Sequence, residues 1–354
     1  MSEHSTLLSS EQPLHAGYDA ALVDLDGVAY RGPEPIDHAA DSLARAHQAG
    51  MPAFYVTNNA SRTPQMVSDQ LNGLGISTRP ERIITAAQAS AQLVLDTIGP
   101  RARVLPIGGT GLHVALQERQ LVLVRTADEH PDVVVQGFDK ALTWTDLAEA
   151  TYAIKAGAQY IATNLDATIP TERGTTLGNG SLVAAVVHAT GVTPRSAGKP
   201  QARIFEQAGH RAGAQHPLVI GDRLDTDLAG ARAAGFAGLH VLTGVDGAAE
   251  LLRARPAERP SYLGADLRAL GRPHPQVSVH SGGEVHCRQA RARVSGEHVY
   301  LLREDGDLDL REGGRLSMDE LRAACVAAWQ ASDAADVATI LPESGTDTLT
   351  VSCD

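Results

Sequence analysis

Long apolar runs are scarce in this 354-residue chain; the longest, such as Leu182 to Val187, fall far short of a membrane span. Met1 to Ala16 is polar and lacks an apolar central stretch, so no signal peptide is expected. Cysteine is nearly missing. Cys287, Cys325 and Cys353 are odd in number, late in the chain and without a C-x-x-C pair. That argues against a disulfide framework or a cysteine-based zinc site, and it fits a reducing compartment. Positive charge is short too: 30 Lys and Arg face 42 Asp and Glu, a net charge of -12. Nucleic acid is therefore not the expected partner, because phosphate backbones need a basic patch. A small phosphate ligand remains compatible, since one local site can be positive on an acidic protein. These absences predict a cytoplasmic protein with no membrane insertion, and they leave homo-oligomer formation open. The 14 histidines include no convincing two-histidine helical ligand pair. Gly108-Gly109-Thr110-Gly111-Leu112 is only a weak match to a dinucleotide loop.

What is present is alternation. Short apolar runs at Ala20–Val23, Ala53–Val56, Val104–Ile107, Val133–Val135, Tyr160–Ala162, Leu218–Ile220 and Gly238–Leu242 read as buried strands. Between them, His38–Gln48, Pro64–Leu74, Ala86–Ile98, Asp146–Ala156, Leu182–Ala189, Ala202–Arg211 and Asp227–Ala234 read as helices. Such alternation predicts βαβ units and a mostly parallel sheet, with polar site residues at the carboxyl ends of strands. The pattern changes near Arg253–Pro275. Beyond it, short strands at Val277–Val279, Ala292–Val294, Tyr300–Leu302 and Leu308–Leu310 precede one helix, Met318–Ala331. That predicts a small α+β extension over 275–354.

Four strand or helix ends carry chemistry. Asp24-Leu25-Asp26-Gly27-Val28 closes the first strand. Residues i and i+2 of an extended chain point the same way, so two carboxylates share one site, and a divalent cation is the usual remedy for their repulsion. Thr57-Asn58-Asn59 closes the second strand with a hydroxyl and amides that suit phosphate oxygens; an Asx turn before the Pro64 helix is the competing reading. Gly198-Lys199-Pro200 precedes a helix whose N-terminus favours anions, although an ordinary surface lysine looks the same. Gly221-Asp222 and Asp227 follow the strand Leu218–Ile220, where acids suit either Mg2+ or helix capping. Asp225 reads as a cap.

In this order the four segments resemble the haloacid dehalogenase superfamily of phosphatases, in its p-nitrophenylphosphatase and phosphoglycolate phosphatase-like branch. Tyr30-Arg31-Gly32, Val135-Gln136-Gly137-Phe138-Asp139, Ala162-Thr163-Asn164-Leu165-Asp166, Pro170 and Gly178-Asn179-Gly180-Ser181 extend the likeness. Within the superfamily the chain is most similar to actinobacterial glycerol 3-phosphate phosphatases, which carry a C-terminal extension. The resemblance implies a Rossmann-like α/β core of parallel strands at 15–76 and 196–265. It also implies a large inserted α/β cap at 77–195, which would exclude water and contact the leaving group.

The resemblance further implies a Mg2+-dependent hydrolase of a small phosphorylated metabolite, with glycerol 3-phosphate first. Other small-metabolite monoesters such as 2-phosphoglycolate, a phosphomutase, or a degenerate phosphate-binding regulatory protein are the alternatives. Asp24 would be the nucleophile and Asp26 the general acid and base. Mg2+ would be held by Asp24, the Asp26 carbonyl and Asp222. Thr57, Asn58, Asn59 and Lys199 would bind the phosphoryl group, with Asp227 one step behind the ligands. Thr163–Asp166 and Gly178–Ser181 are specificity candidates, with structural turns as the equal alternative. The extension is partly similar to an acetyltransferase, yet Arg311-Glu312-Gly313-Gly314-Arg315 makes a poor pyrophosphate loop. It reads as a packing, oligomerisation or regulatory module.

Overall fold

Ala20–Val23 is wholly apolar and wholly buried, as a strand covered on both faces must be. The computed structural model describes residues 6–171, 173–337, 339 and 349–352, so Cys353 lies outside the described residues. The chain divides into two compact units, Met1–Ala53 with Gly213–Asp354, and Phe54–Ala212.

In the first unit, Ala20–Val23 pairs in parallel with Pro217–Gly221, which pairs with Ala237–Val241, which pairs with Tyr262–Gly264. This is the expected parallel α/β arrangement. The register sets Val23 opposite Ile220, so the residues that leave these two strands, Asp24 and Gly221-Asp222, emerge side by side. The helix expected at 227–234 begins differently. Leu224–Leu228 forms a π-helical turn, and only Ala229–Ala233 is α-helical. Such turns widen the helix by one residue and are frequent at functional sites.

The C-terminal extension belongs to this unit. Five antiparallel strands run from Val277–Val279 through Val285–Cys287, Ala290–Ser295 and His298–Leu301 to Leu308–Asp309. A parallel pair, Gly314–Leu316 with Leu349–Val351, flanks the helix Met318–Ala335. Ser317 and Glu320 make a capping box at that helix's start. Its Leu321, Cys325, Ala328 and Trp329 share one apolar cluster with Leu224, Leu228, Leu251 and Leu263, so the extension and the parallel sheet have a common core.

The strand Ala53–Thr57 carries the chain into the second unit and pairs in parallel with Ile83–Thr85. Between them, Thr63 caps the helix Pro64–Gly73 by accepting from Met66 N–H at 3.2 Å. A five-stranded parallel sheet follows, in the order Arg195–Ser196, Gln159–Ala162, Val133–Gln136, Arg103–Ile107, Val122–Leu123. A hairpin, Thr168–Thr171 with Gly174–Leu177, was not anticipated from the sequence. Among the described residues, no helix is long and apolar enough to cross a membrane.

Candidate active site

Asp24 takes its place because its N–H donates to Ile220 O at 2.8 Å, one last ladder bond beyond the strand. Asp222 follows the neighbouring strand, and Asp227 returns to it from the π-helical turn. Asp24 is 9 % exposed, Asp222 0 % and Asp227 1 %. Carboxylate oxygens from all three lie within 4.8 Å of one another. Three buried carboxylates at that spacing repel strongly, and a cation is what makes the arrangement tolerable. The donors are all hard oxygens, the set that suits Mg2+ or Ca2+ rather than a soft metal. The surrounding backbone is pared down to admit them. A Cβ added at Gly27 or Gly244 would run into the Asp222 carboxylate, and one at Gly221 would run into Asp227. The residues present therefore fit a divalent cation.

Asp26 stands apart from the three, more exposed, on the turn whose Gly27 N–H donates to Tyr30 O at 2.8 Å. Desolvation holds its carboxyl above the usual range, against the opposing pull of the Gly32 N–H and Arg31. A carboxylic acid that keeps its proton longer is what a general acid requires. Asp225 does not cap a helix. It forms an exposed ion pair with Arg223 at 2.9 Å, while Asp227 Oδ2 accepts from Arg223 N–H at 3.3 Å.

The second unit holds the other expected residues. Thr57 and Lys199 are buried, at 7 % and 5 % exposure. Thr57 Oγ1 accepts from Asn59 N–H at 3.1 Å. Asn59 Oδ1 in turn accepts from Ser61 N–H, Ser61 Oγ and Arg62 N–H at 3.0–3.2 Å. Asn59 therefore builds the Asx turn that was its competing reading. Asn58 bridges distant segments. Its Oδ1 accepts from Lys199 N–H at 2.8 Å, and its Nδ2 donates to Lys199 O at 3.3 Å and to both Asp166 oxygens at 3.2 Å. Gly198 is obligatory beside it, because a Cβ there would strike Asn58 Oδ1 and Thr163 O. The Lys199–Pro200 bond is cis.

Asn164 and Asn179 are buried scaffold. Asn164 Nδ2 donates to Asn58 O and Asn179 Nδ2 to Asn164 O, each at 2.8 Å. Asn179 opens the helix Asn179–Thr190, three residues before the expected start. Gly108–Leu112 is likewise structural: Gly111 N–H donates to Ser61 O at 2.9 Å, and its missing Cβ leaves room for the carbonyls of Ala60 and Arg62.

One relative decides the family. A D-glycerol 3-phosphate phosphatase of Mycobacterium tuberculosis is 40 % identical over 316 residues, spanning 89 % of this chain and 86 % of its own. The chain belongs to the haloacid dehalogenase-like hydrolases. Models of this family match residues 21–121 and, as a haloacid dehalogenase hydrolase-like segment, 196–270. An acid sugar phosphatase of Staphylococcus aureus is 40 % identical over 230 residues, covering 64 % of this chain and 88 % of its own. Among solved structures, the M. tuberculosis glycerol phosphate phosphatase in complex with magnesium superimposes with a TM-score of 0.80 at 39 % identity, over 90 % of this chain and 92 % of that one. A double mutant of the thermostable NPPase of Geobacillus stearothermophilus gives 0.65 at 36 % identity, over 71 % of this chain and 96 % of that one.

For this haloacid dehalogenase-like hydrolase, sequence reasoning missed the segment after Ala237–Val241. Val245 N–H donates to Asp222 Oδ2 at 2.7 Å, and Asp246 Oδ2 accepts from Leu224 N–H at 2.6 Å. Desolvation pushes the Asp246 carboxyl up to about 6. The available signal was Thr243-Gly244 at the carboxyl end of a parallel strand, the same topological position as Asp24 and Asp222.

Proposed function

We propose that this chain is a Mg2+-dependent phosphatase of a small phosphate monoester, with glycerol 3-phosphate as the substrate and an aspartyl-phosphate on Asp24 as the intermediate. The Asp24–Asp222–Asp227 cluster carries the reading, because it sets a nucleophilic carboxylate inside a hard-cation donor set. Asp24, the backbone carbonyl of Asp26 and Asp222 would hold the cation, with Asp227 beside them. Bound Mg2+ supplies the positive charge that lets an anionic nucleophile meet an anionic phosphate.

The chain's own residues do the rest. Asp24 forms the bond to phosphorus as the ester oxygen leaves. Asp26, as the acid, gives its proton to that alkoxide. As the carboxylate, Asp26 then takes a proton from water, whose oxygen bonds to phosphorus while the Asp24–phosphate bond breaks. Inorganic phosphate leaves and both acids are restored. Lys199 and the Thr57 hydroxyl bind phosphoryl oxygens, as phosphoryl transfer mainly demands. Asn58 and Asn59 support them by shaping the loops described above.

We assign 15–76 and 196–265 to the catalytic core, 77–195 to a cap and 275–354 to the extension. The separate five-stranded sheet between Arg103 and Ser196 supports the cap. Cys287 and Cys325 are buried free thiols, which fits a reducing cytoplasm as the setting. The same reading includes a homo-oligomer, which light scattering of the purified protein checks.

Phosphate release from glycerol 3-phosphate, 2-phosphoglycolate, pyridoxal phosphate and nucleoside monophosphates, with and without Mg2+, tests the whole reading. Glycerol 3-phosphate should give the highest kcat/KM, and only with Mg2+. Asp24→Asn should lose about a thousandfold or more in kcat with unchanged circular dichroism. Turnover by that variant at the wild-type rate overturns the mechanism.

A further inference from the structure

Four consecutive residues after the strand Ala237–Val241 grip the acidic cluster. Thr243 Oγ1 donates to Gly27 O at 2.6 Å, and the Thr243 carbonyl accepts from the Arg31 guanidinium. Gly244 leaves the space that the Asp222 carboxylate fills. Val245 N–H holds Asp222 Oδ2 at 2.7 Å. Asp246 N–H donates to Asp222 O at 3.1 Å, and fully buried His240 closes the segment with Nε2 at 2.9 Å from Asp246 O.

We propose that Thr243 is a positioning residue for the cation site, through which one loop sets both the Asp24–Asp26 turn and Asp222. This rests on the Mg2+ reading above and deepens it. Gly27 sits at φ +92°, in the left-handed region that glycine enters freely, and the peptide that carries the Asp26 carbonyl is tied through its Gly27 N–H to Tyr30 O at 2.8 Å. The Thr243 hydroxyl adds a second restraint on the next peptide, through Gly27 O, one peptide unit from that carbonyl. The same loop carries the Val245 N–H that fixes the Asp222 carboxylate. Two ligand-bearing segments almost two hundred residues apart in sequence are thus registered by one short strap; Thr243 and Gly27 are separated by 216. A merely structural hydrogen bond would affect stability; a positioning bond affects metal affinity.

Thr243→Val keeps the shape and removes the hydroxyl; Thr243→Ser keeps the hydroxyl. Mg2+ titrated calorimetrically into the full-length protein without substrate gives affinity directly. The Mg2+ concentration for half-maximal phosphate release gives it a second way. Thr243→Val should weaken Mg2+ by about five- to tenfold in both, the order of one lost hydrogen bond. Substrate KM at saturating Mg2+ should stay unchanged, and Thr243→Ser should lie within about twofold of wild type. Wild-type Mg2+ affinity in Thr243→Val overturns the proposal. So does Thr243→Ser weakened as far as Thr243→Val, since packing rather than the hydroxyl would then be responsible. If Thr243→Val does not fold, Thr243→Ala takes its place in the same comparison. A wild-type protein that turns over substrate yet binds no Mg2+ overturns the cation reading itself.

Discussion

Asn58 presents its side-chain amide to two partners at once, the Lys199 backbone and the Asp166 carboxylate. Only an amide can do this, because one partner needs an acceptor and the other a donor. Asn58→Ala should cost about 1–2 kcal/mol for the lost bonds. Asn58→Asp should cost about 2–4 kcal/mol, because it sets a second carboxylate against Asp166 in a half-buried place. Denaturant unfolding of both variants checks the order; an Asp variant as stable as the Ala variant would mean that the Asp166 contact is not made in solution. That Lys199 and Asn58 stand at the ends of a loop and a strand was legible from their motifs. That Asn58 serves Lys199 was not, because the contact spans 141 residues and neither neighbourhood announces the other. Asn59 is the reverse case: its turn chemistry was visible locally, and the fold uses it that way.

At the scale of elements, the apolar runs were faithful guides. Buried parallel strands must be continuously apolar, so Ala20–Val23 and Leu218–Ile220 could hardly be anything else. Polar pieces were harder. The hairpin 168–177 is fully exposed over Gly174–Leu177, so no burial pattern marks it. The π-helical turn was hidden because Leu224 and Leu228 carry the same i, i+4 apolar spacing as an α-helix. Segments that pair without a sheet also carry consequences. His274 exchanges backbone hydrogen bonds with Ser10, each at 2.9 Å, and its ring is buried edge-on to Tyr262. Desolvation holds its imidazole down at about 4, with the Ala269 carbonyl opposing. Its folded form is thus neutral where the unfolded chain is protonated. The stability this contributes is present above about pH 6.5 and is lost as pH falls toward 4. Relative to His274→Gln, the wild type should lose about 2 kcal/mol between pH 7 and pH 5. Equal pH slopes for the two proteins, in urea unfolding, would contradict the burial of a neutral ring.

At the scale of the whole molecule, the extension is bound by more than apolar contact. The Arg259 guanidinium, 1 % exposed, pairs with Asp333 at 2.8 Å and lies 5.6 Å from the Trp329 ring centroid. Removing the half-buried carboxylate leaves the buried Arg259 charge with only the Ala254 and Trp329 carbonyls, so Asp333→Ala should destabilise by about 2–3 kcal/mol. Differential scanning calorimetry reads this, and a shift no larger than that of a surface substitution would contradict it. The shift of composition near Arg253–Pro275 is what pointed in the sequence to an extension. It did not show what the extension rests on, since Trp329 and Leu228 are joined only by the tertiary structure.

That shared core has a consequence for how such a chain can be shortened. Leu224 and Leu228, on the same turn that delivers Asp227, share one apolar cluster with the extension's helix. The tail is thus the foundation under one wall of the acidic pit, and a protein ended at residue 275 would lose its footing there before it lost any reacting group.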